Sequence, residues 1–305
     1  GQNVDNPSIR GNRMVYGNLT THPSNDIWRL PGRETPVSER TPARLIASSG
    51  NDTNPAYSPD GQKIAFSSTR TGVSEIWISN SAGSSLVQLT DFGAASGSPA
   101  WSPDGNKLVF DSQEEGDANL YLLDVEGGVP LQLTDQPSDE AMPSWSRDGR
   151  WIYFHSDRSG SVQVWKMPAS GGDAVQLTQD GGMWVQESWD GRFVYYWKEL
   201  DQSPGIWRVP VDGGEEAKVL DGPMYDDWAL SRSGIYFATA REIVRGRRNE
   251  YIVQFLDLDS GRVTEVFRQH GYLHGWLAVS PDEEWILYWE RLAPTSELML
   301  VENFR

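Results

Sequence analysis

Cysteine is absent from this chain of 305 residues. That excludes disulfides, thiol nucleophiles and Cys-ligated zinc together, and it suits a periplasmic or otherwise extracytoplasmic life. Histidine is nearly absent as well: His22, His155, His270 and His274 are the whole supply. No run approaches the ~18 consecutive apolar residues of a membrane-spanning helix, so membrane insertion is not expected. No signal peptide opens the chain, and Gly1 reads as the start of a processed or excised domain. Basic residues are few, with 26 Lys and Arg against 43 Asp and Glu, a net charge of −17. A surface this acidic repels phosphate backbones and anionic lipid alike. Direct nucleic-acid binding is therefore not expected.

The motifs of hydrolytic chemistry are missing too. There is no G-x-S-x-G elbow; the nearest stretch, "GVSEI", lacks the second Gly. No H-E-x-x-H is present. The chain accordingly leans away from being an enzyme.

What is present is aromatic and repetitive. Fourteen Trp and eleven Tyr imply large rings buried between layers, and thirty Gly and eighteen Pro are spread at intervals, as many short strands with tight turns require. The stretch "NPAYSPDGQKIAF" returns as "SPAWSPDGNKLVF" and again as "MPSWSRDGRWIYF". Aligned on the Gly of the turn, the register is Gly11, Gly61, Gly105, Gly149, Gly191, Gly234 and, with Glu in place of Gly, Glu283. A second mark follows at Trp28, Trp77, Tyr121, Trp165, Trp207 and Met299, delayed to Phe255 in the sixth unit by the insertion "REIVRGRRNE". A third, the "QLT" ending, falls at Thr90, Thr134 and Thr178.

Units of 42 to 50 residues with four strands each are the pattern of propeller blades, whose sheets are covered on both faces by their neighbours. The expectation is an all-β, seven-bladed β-propeller of four-stranded antiparallel blades in one domain, 1–305. Its blades would span approximately 1–49, 50–92, 93–136, 137–180, 181–221, 222–269 and 270–305. In the S-P-D-G turn, Pro59 presets φ, Asp60 bonds back to the backbone and Gly61 takes the left-handed conformation, so these acids read as structural. Because the chain stops soon after "ELMLVENF", the seventh blade is expected to lack its fourth strand. Leu298 to Val301 would then form an open edge that invites an edge-strand dimer, with the missing strand upstream of Gly1.

These residues resemble the TolB-like propellers, a WD-repeat-like family whose repeat is the same S-P-D-G turn with an aromatic third strand. Phrases such as "PSWSRDGRWIYFHSDRSG", "GIWRVPVDGGEE" and "LMLVENFR" are similar to the C-terminal propellers of bacterial winged-helix regulators and Ser/Thr kinase sensors. The resemblance implies a non-catalytic, protein- or peptide-binding sensory or interaction module of a larger regulator. The alternative is a carbohydrate-active lyase or hydrolase with its site in the central channel. Sialidase-type Asp boxes do not fit, since "SPDGQKIAF" lacks their Thr-Trp.

In a propeller the loops leading into the innermost strands share one face. That face collects Asp52, Asp139, Glu140, Trp184, Tyr225, Asp226, Asp227, His270 and His274 as ligand-binding candidates. Its mixture of aromatic and acidic groups suits a peptide, a basic protein loop or a sugar. No cofactor is expected. His270 and His274, four apart on a loop, are too few to hold a metal without distant carboxylates. The other metal reading is Ca²⁺ in the channel, with Asp226 and Asp227 among oxygen ligands from neighbouring blades. The arginines of the sixth-unit insertion, Arg241, Arg245, Arg247 and Arg248, offer a docking point for an acidic partner.

Overall fold

The computed structural model describes residues 3–10, 13–19, 24–114, 116–200, 203–222, 227–242, 249–270, 274–291 and 296–302. Six four-stranded antiparallel sheets form the blades of a propeller, and three further strands form a sheet of their own.

The first five blades follow the chain. The first runs through strands Asp52–Tyr57, Lys63–Ser68, Glu75–Asn80 and Val87–Gln88. The second begins at Ser96–Trp101, the third at Glu140–Trp145, the fourth at Met183–Glu187 and the fifth at Trp228–Leu230. In each, the innermost strand is followed outward by the next three in sequence order.

The sixth blade is made from both ends of the chain, and this corrects the expected count of seven. Its two inner strands are His274–Val279 and Trp285–Arg291; its two outer strands are Asn25–Pro31 and Ala43–Ile46. Asn25–Pro31 pairs antiparallel with Trp285–Arg291, Trp28 opposite Tyr288. The periodicity counted the Trp28 strand and the Glu283 hairpin as parts of two blades, whereas hydrogen bonding joins them in one. Of the leftover marks, Met299 belongs to the separate sheet of Asn3–Arg10, Arg13–Leu19 and Ser296–Glu302, and Gly11 lies outside the described residues. Among the described residues each of the six blades has four strands and the ring is closed from within the chain, while Leu298 to Val301 pair with Gly17 to Met14 at the edge of the separate sheet.

The core sits between blades, as two-sided coverage of short strands demands. Ala65 and Ile76 of the first blade meet Trp101, Phe110 and Tyr121 of the second, and Val109 and Leu120 meet Ile152, Phe154 and Met167. Tyr153 and Val164 meet Val194 and Tyr196, then Tyr195 and Ile206 meet Trp228 and Phe237. Tyr236 and Val253 meet Leu30, Ile286 and Tyr288. Ile27, Ile46 and Leu287 finally meet Ile64 and Phe66, which returns the circle to its start.

Two of the sequence marks are hydrogen-bonded devices. In the S-P-D-G turn, Ser58 Oγ donates to Asp60 Oδ1 at 2.6 Å and accepts from Lys63 N at 2.9 Å, while Asp60 Oδ1 also accepts from Gln62 N. Gly61 stands at φ 70°, a conformation that costs a side-chain-bearing residue roughly 1 kcal/mol or more. The Ser102, Ser146, Ser188 and Ser280 turns repeat the bond to the carboxylate. In the "QLT" ending, Thr90, Thr134 and Thr178 each accept through Oγ1 from a third-strand amide, of Ile76, Leu120 and Val164, at 2.8–2.9 Å. Each clasp holds a fourth strand of only two residues to its blade.

Candidate functional site

Where the six innermost strands converge, a cavity of about 530 Å³ opens at the end that carries the S-x-D-G turns. Its wall is built from equivalent positions of the repeat. Two residues before the turn's Ser stand Ala56, Ala100, Ser144, Gln186, Ala229 and Ala278, all on the lining. Five of these six are small, which leaves the channel open. One residue after the Ser, at the rim, stand Pro59, Pro103, Arg147, Trp189, Arg232 and Pro281.

The wall is tied together between blades. Trp101 Nε1 donates to the Ala56 carbonyl at 3.0 Å, Trp145 Nε1 to Ala100 at 3.2 Å and Trp276 Nε1 to Pro55 at 3.0 Å. Leu230 N donates to Gln186 Oε1 at 2.8 Å. Inside this ring Asn54, Ser98, Met142, Trp184 and Trp276 all have φ between 51° and 60°, and the pairing of each of their strands breaks register nearby. Side-chain-bearing residues hold this left-handed conformation only where the surrounding structure imposes it. The channel is thus preformed.

Its electrostatics divide in two. Arg147, Trp189 and Arg232 come from the third, fourth and fifth blades, and each guanidinium lies 4.6 Å from the Trp189 ring centroid. Arg147 donates to the Glu187 backbone carbonyl at 3.2 Å. Among the described residues neither arginine has a carboxylate within ion-pair distance. Desolvation by the funnel wall lowers the Arg147 pKa, with Glu187 opposing, although the residue itself is exposed at the rim. Glu187 is buried, which pushes its own carboxyl upward. Across the mouth, Pro281, Pro59 and Pro103 form an uncharged arc. Glu283 on the lining is engaged by the neighbouring turn: its carboxylate accepts from Ser233 N at 3.1 Å and Ser233 Oγ at 2.6 Å. It supplies the acid that "SRSG" lacks where the other turns carry Asp.

The expected candidates lie elsewhere, with one exception. Trp184 is on the lining and packs edge-on against Trp197, with centroids 5.4 Å apart. Asp52 and Glu140 are fully buried and ion-paired with Arg70 at 2.7 Å and Arg158 at 3.0 Å. Asp139 is exposed and accepts from Ala118 N. Asp227 is half-buried, and Tyr225 and Asp226 lie outside the described residues. His270 ends the strand Val263–His270 and His274 begins His274–Val279. Of the insertion arginines, Arg241 lies on the strand Gly234–Glu242, while Arg245, Arg247 and Arg248 are outside the described residues. Among the described residues no three His, Asp or Glu side chains gather as metal ligands would. The sequence signal for the rim was present in the second position of the repeated turn. It reads Pro, Pro, Arg, Trp, Arg, Pro around the ring, so three consecutive blades abandon the proline that suits the turn.

Residues 74–189 match the TolB beta propeller domain family. No curated protein sequence matches the chain. Among solved structures, a putative TolB from Agrobacterium tumefaciens is similar over 89% of this chain and 99% of its own length, with 24% identity and a TM-score of 0.72. TolB from Acinetobacter baumannii is similar over 90% of this chain and 65% of its own, with 20% identity and a TM-score of 0.61. A puromycin hydrolase aligns over 86% of this chain but only 42% of its own length, at 17% identity and a TM-score of 0.55. The fold is a TolB-like β-propeller. Among the described residues no helix is long and apolar enough to cross a membrane.

Proposed function

We propose that this chain is a non-catalytic propeller that binds a protein through an extended peptide segment seated in the mouth of the central channel. The observation that carries the reading is the channel itself. It is a preformed concave site with small side chains around its waist, ringed by tryptophan and proline, which suits a few side chains of a peptide. Its two wall carboxylates are already engaged within the protein, Glu187 by Tyr153 and Glu283 by Ser233. The role of a sensory or interaction module attached to a larger bacterial regulator rests on the sequence phrases quoted above, and an extracytoplasmic location on the absence of cysteine.

The test is a selection of random displayed peptides against the full chain. Peptides recovered from it are expected to compete with one another for one site. They should lose binding when Ser144, a lining residue whose hydroxyl has no partner among the described residues, is changed to Trp to plug the channel. Binders indifferent to Ser144→Trp would move the site elsewhere.

A further inference from the structure

From the rim geometry we infer that the channel mouth is a carboxylate clamp, selecting a peptide whose Asp or Glu side chain stands beside an apolar residue. This rests on the channel being the peptide site and names what that site recognises. Arg147 and Arg232 approach Trp189 from the blades on either side, both at 4.6 Å from its ring centroid. Stacking occupies the face of a guanidinium and leaves N–H edges for a ligand. Arg147 spends one donor on the Glu187 carbonyl, and the remaining edges match a carboxylate in a two-point contact. Trp189 therefore holds two donor forks in place before a ligand arrives, while remaining 42% exposed itself.

Charge points the same way. In a protein of net charge −17, two arginines share one aromatic ring with no carboxylate in ion-pair range among the described residues. Two such cations at one mouth favour an anion bound at their outward N–H edges. The rest of the surface disfavours a polyanion such as a nucleic acid, whereas one or two carboxylates on a short segment meet only the local field, since screening acts within about 8 Å at physiological salt. The uncharged arc of Pro59, Pro103 and Pro281 across the mouth receives the apolar neighbour. A phosphorylated segment would present more charge to the same donors, and it serves as a comparison below.

The experiment uses peptides recovered from the random library and synthesised with capped ends. They are expected to carry Asp or Glu next to an apolar residue. Replacing that acid by its amide should weaken binding at least tenfold, and Arg147→Gln or Arg232→Gln in the protein should do the same while the chain still melts in one cooperative transition. Trp189→Leu should weaken acidic peptides and leave amide versions nearly unaffected, and 0.5 M salt should narrow the difference between the two. Peptides blocked by Ser144→Trp but neutral or basic, and indifferent to both arginine variants, overturn the clamp while the channel remains the site. Binders indifferent to Ser144→Trp remove both readings, as does a selection that yields none. A phosphoserine version that binds more than tenfold better than the acidic peptide also overturns the carboxylate assignment.

Discussion

Among the described residues His155 is a group whose protonation the fold resists. It sits mid-blade in the strand Trp151–Ser156, its Nδ1 without a partner among the described residues, and burial lowers its pKa from 6.5 to about 4 despite the opposing fields of Asp139 and Asp157. The unfolded chain takes up this proton first, so the neutral ring contributes stability that is complete above about pH 6.5 and is lost as pH falls toward 4. The melting temperature should drop more steeply between pH 6.5 and 4 for the native protein than for His155→Gln. Equal slopes would show that the ring is accommodated in either charge state. The turn carboxylates titrate lower. Hydrogen bonds from Ser58, Ser102 and Ser188 hold Asp60, Asp104 and Asp190 below the usual range, and the Arg150 amide leads the same effect at Asp148. Their contribution disappears only at more acidic pH.

At the scale of elements, two blades are short stacks of strands whose innermost strand is pinned by a buried ion pair. The innermost strand of the first blade is anchored by Asp52, which is fully buried, accepts from Ser68 Oγ at 2.5 Å and pairs with Arg70. Glu140, Ser156 and Arg158 repeat the anchor in the third blade. In both, the arginine also lies over the aromatic second mark of the repeat, Arg70 at 4.8 Å from Trp77 and Arg158 at 5.1 Å from Trp165. Removing the cation leaves a buried carboxylate uncompensated, which typically costs about 3–5 kcal/mol. Arg70→Ala should lower the unfolding free energy by that order in denaturant titrations, with Arg70→Lys recovering part of it. A loss below about 1 kcal/mol would mean that water replaces the guanidinium.

The whole molecule depends on one seam. The first five blades are closed on themselves in sequence, but the sixth joins residues 25–46 to residues 274–291 across the full length of the chain. Ile27, fully buried, packs there with Ile64, Phe66 and Leu287. Ile27→Ala should cost about 2–5 kcal/mol, the range for a large core truncation. A chain beginning at Ala47 would lack both outer strands of the sixth blade, leaving Trp285–Arg291 unpaired on its outer side and the first blade uncovered. It should lose its single cooperative thermal transition. A truncated chain that melts as the intact one does would show that the seam does not hold the ring.

The repeat alone determined that the chain is a propeller, because turn chemistry and strand alternation are local and recur at every copy. Gly61, Gly105, Gly149 and Gly191 are each required by a left-handed turn, and "IAF", "LVF" and "IYF" are apolar throughout because both faces of each sheet are covered. The number of blades was not local. Whether Trp28 and Glu283 belong to one sheet is decided by hydrogen bonds between the two ends of the chain, and no period measured along the sequence contains that pairing. The rim followed the same division. Arg147, Trp189 and Arg232 are visible as departures from S-P-D-G, yet they lie 42 and 43 residues apart in sequence and become one cluster only when three blades are set side by side. The buried ion pairs of Asp52 with Arg70 and of Glu140 with Arg158 were equally hidden, since a carboxylate on a loop and a carboxylate anchoring a strand are written with the same letter. Which of the two it becomes depends on the arginine that folding brings to it.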